Sequence, residues 1–367
     1  MNIYELLKTL TETPGPSGLE NQIAAAIQTA WQPLVDSLSV DRVGSLVAIK
    51  RGRPANPDTR RSLLLAAHED EIALMVKKIV SFPDEEGGNG FLRVSSVGGV
   101  DIRHLYGQTA VVHGRRDLVG VIGSLPAFML PEERQDKAYG YDDLLVDVGL
   151  PAAELRQLVQ VGDYVSFRQP LRKLLNNRVT GKALDNRASV AAVTVCLEQL
   201  QGRQHQWDVV AVATAQEETA LLGAFTSAHA QRPDAAIAID VTFAKGPGTS
   251  NDSTFELDDG PVVDLGPNVH PGMYKALMDA AEALEMKVNT STHARHSGTD
   301  AYGLQIAHEG IPTGLVSIPL RYMHTMVETV TTADVERAGR LLAEVVVRLD
   351  DKFLEKLAAG LMAKDEG

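Results

Sequence analysis

Cysteine is almost absent from this chain of 367 residues, because Cys196 is its single thiol. One cysteine excludes an internal disulfide and any metal site built from several thiolates. Proteins of oxidising compartments commonly rely on disulfides, so the sequence favours a reducing, cytoplasmic location. The phosphate-loop pattern GxxxxGK(S/T), the dinucleotide pattern GxGxxG after a strand and the serine-nucleophile pattern GxSxG are also missing.

Positive charge is scarce relative to negative charge. Lys and Arg total 35 against 48 Asp and Glu, a formal net charge of −13. This surplus disfavours binding to nucleic-acid phosphates and to anionic membranes. No run approaches the roughly 18 apolar residues of a membrane-spanning helix, and the first residues lack the pattern of a signal peptide. We therefore expect a protein that binds neither nucleic acid nor membrane.

The chain does have a globular composition, arranged in two patterns. Apolar residues make up 44% and 367 residues exceed the usual size of one core, which predicts a large domain with a smaller one. Over 1–70 and 168–367, helical patterns alternate with short apolar runs, which predicts an α/β domain with a largely parallel sheet. Residues 71–167 show short alternating runs separated by Gly and Pro, which predicts an inserted all-β domain.

Periodicity places individual elements within this layout. Helices are predicted from residue 3, from Ser17 as an N-cap, over 186–200, around 220–230, over 273–283 and over 332–361 with Thr332 at the cap. Strands are predicted for SLLLAA, WDVVAVATA, AAIAID and TGLVSIPL, because continuous apolar runs fit strands covered on both faces. The segment PAFMLPEERQDKAYGYD is polar and charged, and predicts a loop.

Polar side chains gather where the predicted strands end. Ligands bind at the carboxyl ends of strands in open α/β sheets, so these residues should share one edge. They are His68-Glu69-Asp70-Glu71, Gln216-Glu217-Glu218, Asp240, Arg321-Tyr322-Met323-His324 and, before a helix, Asp185. So many carboxylates repel one another unless cations lie between them. Mixed imidazole and carboxylate ligands favour zinc, cobalt or manganese, and a bridging carboxylate suits two ions.

Six segments carry a family resemblance: AAHEDEIALMV, GKALDNR, ATAQEETALLGA, AIAIDVT, HSGTDAYG and VSIPLRYMHTMVE. In this order and spacing they resemble the M42 family of metallo-aminopeptidases, which includes the tetrahedral (TET) aminopeptidases and members labelled endoglucanases. The resemblance covers nearly the whole chain. It implies a phosphorylase/hydrolase-like catalytic domain, a mixed sheet flanked by helices, at 1–70 and 168–367. It also implies that a β-barrel at 71–167 mediates self-association, from dimer to dodecamer.

The same resemblance implies a dinuclear metal site. His68 and Asp240 would hold one divalent cation, and Glu218 and His324 would hold the other. Asp185 would bridge the two ions. The implied cofactors are therefore two zinc or cobalt ions per subunit, with manganese as the alternative.

Two further carboxylates complete the implied chemistry. Glu217 would be the general base, taking a proton from a metal-bound water and passing it to the leaving amine of a short peptide. Neighbouring side chains at a strand end diverge, which keeps Glu217 away from the ion held by Glu218. Asp70 would orient His68, since a metal-binding histidine usually has its other ring nitrogen fixed by a carboxylate or carbonyl.

Several of these residues also have simpler interpretations. Asp185 fits a helix cap, and Glu217 with Glu218 fits the acidic first turn of a helix. His296 is a further candidate for the substrate site. The net charge and the acidic Glu69 beside the cluster favour basic or neutral substrate residues over acidic ones.

Three other functions stay open at this point. A glycoside hydrolase would use two carboxyl groups roughly 5–9.5 Å apart and no metal, but it gives no reason for His68 and His324. A non-catalytic assembly protein on the same scaffold would be expected to lack the base or a ligand. A metal-dependent deacylase or carboxypeptidase-like enzyme would need a basic residue for a substrate carboxylate, and Arg295 or Arg321 is available.

Overall fold

The computed structural model describes residues 1–56, 58, 60–83 and 87–362. The helices are α1 (Ile3–Glu12), α2 (Asn21–Trp31), α3 (Glu132–Gln135), α4 (Ala152–Leu158), α5 (Leu184–Gln199), α6 (Glu217–Ala220), α7 (Leu222–Gln231), α8 (Pro271–Ala283), α9 (Asp300–Gln305), α10 (Thr332–Arg348) and α11 (Phe353–Met362). Short 3-10 helices cover Gln32–Leu34, Ile102–His104, Ala127–Met129 and Tyr141–Asp143.

The strands belong to three sheets. They are β1 (Ser37–Val40), β2 (Leu46–Lys50), β3 (Ser62–His68), β4 (Ala73–Phe82), β5 (Asn89–Val97), β6 (Thr109–His113), β7 (Asp117–Gly123), β8 (Leu145–Pro151), β9 (Tyr164–Phe167), β10 (Arg172–Lys173), β11 (Arg178–Gly181), β12 (Asp208–Thr214), β13 (Ala235–Phe243), β14 (Val262–Leu265), β15 (Asn289–Thr292), β16 (Thr313–Leu320) and β17 (Glu328–Thr331).

An eight-stranded mixed sheet forms the main layer, in the order β1-β2-β12-β3-β13-β16-β14-β15. Its central strands β12, β3, β13 and β16 are parallel. In β3, Leu63, Leu65 and Ala67 pack into a core on one face of the sheet, and Leu64 and Ala66 pack into a core on the other. A strand covered on both faces has no solvent side, which explains the continuous apolar runs of the sequence.

Helices cover both faces of this sheet. α1, α2, α5, α8 and α10 contribute to the larger core, and α7 and α9 contribute to the core on the opposite face. The predicted α/β class, with a mixed sheet flanked by helices, is confirmed. In the described part of the chain, no helix has both the length and the apolar character that crossing a bilayer requires.

Strands β4 to β9 close a six-stranded barrel in the order β4-β5-β8-β7-β6-β9. All six lie between residues 73 and 167 and surround an apolar core of their own. In β7, Leu118 and Ile122 point into this core, whereas Val119 and Val121 are exposed. The predicted β character of this part of the chain is therefore confirmed, with α3 and α4 as short interruptions.

The third sheet, β10-β11-β17, connects two distant parts of the chain. β11 directly precedes α5, and β17 follows β16 after a short loop. The antiparallel pair β11 and β17 aligns Gly181 with Glu328. The start of α5 therefore lies beside the loop after β16, and this juxtaposition positions the site described below.

Two predicted helix starts are wrong by a few residues. α2 begins at Asn21, and Ser17 does not cap it, because the Ser17 hydroxyl donates to the buried carboxylate of Asp70. A buried carboxylate needs a protein donor, whereas water can satisfy an exposed helix end. The N-cap of α10 is Thr331, one residue before the prediction, and its hydroxyl accepts from the backbone N–H of Asp334.

The predicted helix over 332–361 and the predicted loop around 126–142 are also only partly correct. A non-helical segment separates α10 from α11, so the C-terminal part is two helices. The polar loop contains α3 and two 3-10 helices. Local polarity indicated exposure correctly, but it did not reveal these short helices.

Gly339 allows α10 to pack directly against α5. A methyl group at this position would lie 2.5 Å from the Ala192 carbonyl oxygen and 2.5 Å from Val195 Cβ. We expect Gly339→Ala to lower the free energy of unfolding by about 1–3 kcal/mol, because overpacking outweighs the helix propensity of alanine. Gly123→Ala is the control, since an added methyl there meets no atom within 4 Å. Urea denaturation measures both variants, and equal stabilities would contradict this packing argument.

Candidate active site and metal centre

The parallel strands bring the predicted site residues to one edge of the main sheet. His68 ends β3, Glu217 and Glu218 begin α6 just after β12, and His324 follows β16. Asp240 lies inside β13, which extends beyond it, rather than at the strand end as predicted. β13 stops pairing with β3 before Asp240, which leaves the Asp240 side chain open towards the cluster.

The loops that carry these residues depart from regular backbone geometry. Gln216, just before α6, has a φ of 57°, and His324 has a φ of 61°. The N-cap position of α5 is Ala183 with a φ of 56°, and the Asp185–Asn186 peptide bond is cis. Positive φ is unfavourable for residues other than glycine, and such positions concentrate at functional sites. Asp185 itself has non-helical φ and ψ angles at a kink in α5, and its oxygens face two imidazoles rather than backbone N–H groups of the helix.

The carboxylate of Asp185 lies between two imidazoles. Its Oδ1 is 3.1 Å from Nε2 of His68, and its Oδ2 is 3.4 Å from Nε2 of His324. Each oxygen therefore faces one ring, which is the arrangement that a carboxylate shared by two cations requires.

The second nitrogen of each ring faces an acceptor. Nδ1 of His68 lies 3.4 Å from Oδ1 of Asp70, and Nδ1 of His324 bonds the Gly99 carbonyl at 3.0 Å. A carbonyl only accepts, so Nδ1 of His324 carries the hydrogen, and Nε2 of the neutral ring keeps its lone pair for a cation. Gly99 follows the barrel strand β5, and a Cβ at this position would lie 2.6 Å from Nδ1 of His324. The barrel segment thus contributes directly to the site.

The predicted ligands form two overlapping groups. Within each group, one nitrogen or oxygen atom per residue lies within 4.8 Å of the others. The groups are His68, Asp185 and Asp240, and Asp185, Glu218 and His324. Imidazole and carboxylate donors suit zinc, cobalt and manganese. The residues therefore fit metal binding.

Glu217 touches the cluster but belongs to neither group. Its Oε2 is 3.7 Å from Nε2 of His68, whereas Oε2 of Glu218 is 3.4 Å from Nε2 of His324. The two adjacent acids therefore approach different imidazoles. Glu217 and Glu218 also form the acidic first turn of α6. The interpretation of the pair as helix-start acids therefore describes the helix correctly, but it does not explain their contacts with the two histidines.

Burial makes the charged forms of these acids costly. It raises the pKa of Glu217 to about 10 and the pKa values of Glu218 and Asp240 to about 8, and nearby carboxylates act in the same direction. Despite burial, the pKa of Asp185 is lowered, because His324 and His68 donate hydrogen bonds to it. Divalent cations would remove this repulsion, since they compensate several negative charges at once.

Asp70 orders the loop that carries both glutamates. It is fully buried, its Oδ1 accepts from the backbone N–H of Glu217 at 3.0 Å, and its Oδ2 accepts from that of Glu218 at 3.2 Å. Despite burial, its pKa is lowered by a hydrogen bond and charge from His68. Asp70 therefore lies beside Nδ1 of His68, and its proposed role of orienting that ring stays a prediction. It also holds the turn after β12, which the sequence did not indicate.

Sequence reasoning missed Glu328, which joins two of the site loops. This buried residue accepts from the backbone N–H of His324 at 2.9 Å with Oε1, and from that of Asp185 at 3.0 Å with Oε2. The available signal was an acidic residue shortly after His324 in an apolar segment. Its significance depends on the pairing of β11 with β17, which the sequence does not reveal.

A cavity of about 740 Å³ opens beside the cluster. His296 lines it, as expected, with its ring centroid 5.3 Å from that of Tyr302. Glu69 is fully buried and does not line it, so Glu69 offers no direct contact to a substrate. Arg295 and Arg321 are also absent from its lining, so neither arginine is placed to hold the substrate carboxylate of a carboxypeptidase-like reaction.

Comparison with known proteins agrees with this site. The model of the family described as M42 glutamyl aminopeptidase matches residues 44–341. This chain belongs to that family. The predicted resemblance is thus confirmed, and the chain is a peptidase of the hydrolase class.

Relatives and solved structures match this M42 family member over nearly its whole length. The lysyl aminopeptidase of Pyrococcus furiosus is 32% identical over 94% of this chain and 97% of its own. The crystal structure of the TET aminopeptidase of Thaumarchaeota archaeon SCGC AB-539-E09 superposes with a TM-score of 0.88 at 29% identity, over 97% and 99% of the two chains. An aminopeptidase of Desulfurococcus kamchatkensis gives a TM-score of 0.87 at 33% identity, over 97% of each chain.

Some similar structures carry other descriptions. A Thermotoga maritima protein described as an endoglucanase has a TM-score of 0.74 at 29% identity, over 96% of this chain and 99% of its own. The TET1 peptidase of Pyrococcus horikoshii, which can assemble into a tetrahedron or a large octahedral shell, has a TM-score of 0.81 at 28% identity, over 95% and 100%.

Cation binding should release protons from the proposed metal ligands. At pH 7 the raised pKa values keep Glu218 and Asp240 protonated, and hydrogen bonding to Asp185 raises the pKa of His324 to about 9. Cations bind the deprotonated forms of these ligands. We therefore expect zinc affinity to increase from about pH 6 to about pH 9. Calorimetry in buffers of different ionisation enthalpy measures the released protons, and a pH-independent affinity without proton release would contradict this account.

Glu328→Gln should weaken cation binding without removing a ligand. The backbone N–H groups of Asp185 and His324 each need an acceptor oxygen. A glutamine side chain has a single acceptor oxygen, so one of the two N–H groups loses its partner. Loss of such a supporting contact typically costs about 10–100-fold in metal affinity. Competition with a fluorescent chelator measures the effect, and Glu336→Gln on the exposed side of α10 is the control. Unchanged affinity in a folded variant would show that Glu328 does not position the ligands.

Proposed function

We propose that this protein is a two-metal aminopeptidase that removes N-terminal residues from short peptides. The observation that carries the proposal is the position of Asp185, with one oxygen facing His68 and the other facing His324. In this proposal His68 and Asp240 hold one cation, Glu218 and His324 hold the other, and Asp185 is shared. Zinc, cobalt and manganese all suit this ligand set.

The proposed mechanism assigns proton transfer to Glu217. When bound, the cations would lower the pKa of water and polarise the scissile carbonyl. Glu217 lines the cavity beside His68, where it would accept a proton from water and deliver it to the leaving amine. The Asp70 carboxylate accepts a hydrogen bond from the backbone N–H of Glu217 and so holds the Glu217 backbone in place. Retention of the substrate's free α-amine at the cluster would restrict the reaction to the first residue.

The proposal also assigns roles to the two parts of the chain. Residues 1–70 and 168–367 would form the phosphorylase/hydrolase-like catalytic domain. The barrel within 71–167 would mediate self-association, as the family resemblance implies, and Val119, Val121, Phe128 and Met129 are exposed apolar residues that such contacts would cover. Dimer and dodecamer are both compatible with this role. The cytoplasmic location stays a prediction from the lone cysteine.

Glu217→Gln tests the proposed reaction. We expect kcat on leucyl-p-nitroanilide to fall by at least about 100-fold, the usual contribution of a general base, with bound metal unchanged. The same Glu336→Gln variant is the control. Unchanged peptide hydrolysis by Glu217→Gln would refute the assignment of the base.

Metal removal separates peptidase from glycosidase activity. We expect a chelator to abolish peptide hydrolysis and zinc, cobalt or manganese to restore it, because the cluster is built from metal ligands. A glycoside hydrolase needs no metal. A chelated protein that cleaves a soluble β-glucan and ignores peptides would favour the endoglucanase interpretation. A metal-loaded protein that cleaves neither would favour the non-catalytic assembly role.

A further inference from the structure

Polar contacts across the sheet connect His293 to Ser317, whose strand pairs with the strand that carries Asp240. Ser317 on β16 is the register partner of Asp240 on β13. The Ser317 hydroxyl donates to Oδ2 of Asp264 on β14 at 2.7 Å. Oδ1 of Asp264 lies 2.7 Å from Nε2 of His293, which follows β15. Asp264 is fully buried, whereas the His293 side chain is 30% exposed and lines the 740 Å³ cavity.

This environment favours the charged form of His293 and fixes the direction of its ring. The hydrogen bond and the charge of Asp264 raise the pKa of His293, although partial burial opposes the shift. Because Nε2 is occupied by Asp264, the protonated ring has Nδ1–H left as a donor for another group. A buried carboxylate behind an imidazole holds the ring in one orientation, as the partners of ligating histidines do.

Outside the metal cluster, His293 differs from the other side chains that line the cavity in being basic and having a carboxylate partner. In the described part of the chain, no lysine or arginine lines this cavity. Among the described residues outside the metal cluster, His293 and His296 are the histidines that line it. His296 packs against the Tyr302 ring, whereas His293 has a carboxylate partner that favours its charged form. Apart from the metal cluster, the described cavity lining therefore has one histidine that a buried carboxylate anchors.

The spacing between the strands that carry Asp240 and Asp264, the partner of His293, is similar to the reach of a small peptide. β14 is two strands from β13 in the sheet, which corresponds to about 10 Å. Two extended residues span about 7 Å, and a metal–ligand bond adds about 2 Å. A dipeptide whose amine lies at the cluster can thus extend its C-terminal carboxylate towards His293, and an acidic first side chain is the shorter alternative.

We infer that His293, held by Asp264, binds a carboxylate of the substrate and determines specificity for peptides that carry one at this distance. The inference rests on the proposed aminopeptidase function and extends it. It also reverses the preference for basic or neutral residues that the net charge favoured, because the anchored imidazolium acts at close range whereas the surplus negative charge is distributed over the surface and screened.

His293→Gln tests this inference with four substrates. Glutamyl-p-nitroanilide carries a side-chain carboxylate, leucyl-p-nitroanilide carries none, Leu-Gly carries a C-terminal carboxylate, and Leu-Gly-amide lacks it. For the substrate class that His293 binds, we expect KM to increase about tenfold or more, as for loss of a hydrogen bond to a charged group, with kcat within about twofold. Hydrolysis of leucyl-p-nitroanilide should be unchanged.

Matched variants identify the residue responsible. His104→Gln, an exposed histidine of the barrel segment, is the control, and thermal melting verifies folding. Ser317→Ala should produce a smaller change in the same direction, because it removes only the bond that orients Asp264. An effect of His296→Gln without one of His293→Gln would overturn the assignment.

The substrate panel distinguishes the possible outcomes. An effect confined to glutamyl-p-nitroanilide supports side-chain recognition, and an effect confined to Leu-Gly against its amide supports recognition of the C-terminus. Equal losses on all four substrates, or no loss on any, would overturn the inference while leaving the aminopeptidase function intact. Failure of the wild-type protein to hydrolyse any of the four would instead refute the proposed function itself.

Discussion

The constraint on which this site depends is the cost of burying many ionisable groups at one sheet edge. Glu217, Glu218 and Asp240 are all buried enough for their pKa values to be raised, and Asp185 lies against two imidazoles. Without cations, such an edge keeps protons on acids that would be ionised in water. Divalent ions would replace those protons. The proposed chemistry therefore follows from the same crowding that makes the edge unfavourable by itself.

Two carboxylates outside the proposed ligand set keep this crowded edge in order. Asp70 accepts from the backbone of Glu217 and Glu218, and Glu328 accepts from the backbone of Asp185 and His324. Each therefore fixes main chain, from which the functional side chains project. A backbone held by these buried hydrogen bonds can retain positive φ angles at the neighbouring turns.

The barrel and the main sheet meet in this site. The Gly99 carbonyl, which follows the barrel strand β5, bonds Nδ1 of His324. On the far side of the cavity, Asp264 and Ser317 connect the last strands of the main sheet to His293. The cavity thus has the proposed metal ligands on one wall and His293 on another, and the register of β13 with β16 relates one to the other.

The sequence by itself determined the α/β class, the β character of the middle segment and the identities of the clustered acids and histidines. These signals are local, since strand burial and strand-end polarity can be read from adjacent residues. Ser17 and Glu328 show what it could not determine. Ser17 looked like a helix cap but donates to Asp70, and Glu328 gains its role only from the pairing of β11 with β17. Likewise, Glu69 appeared to border the site but is buried, whereas Asp264 and His293 were not identified. Contacts between residues distant in the chain depend on strand order and register, and only the tertiary structure decided those.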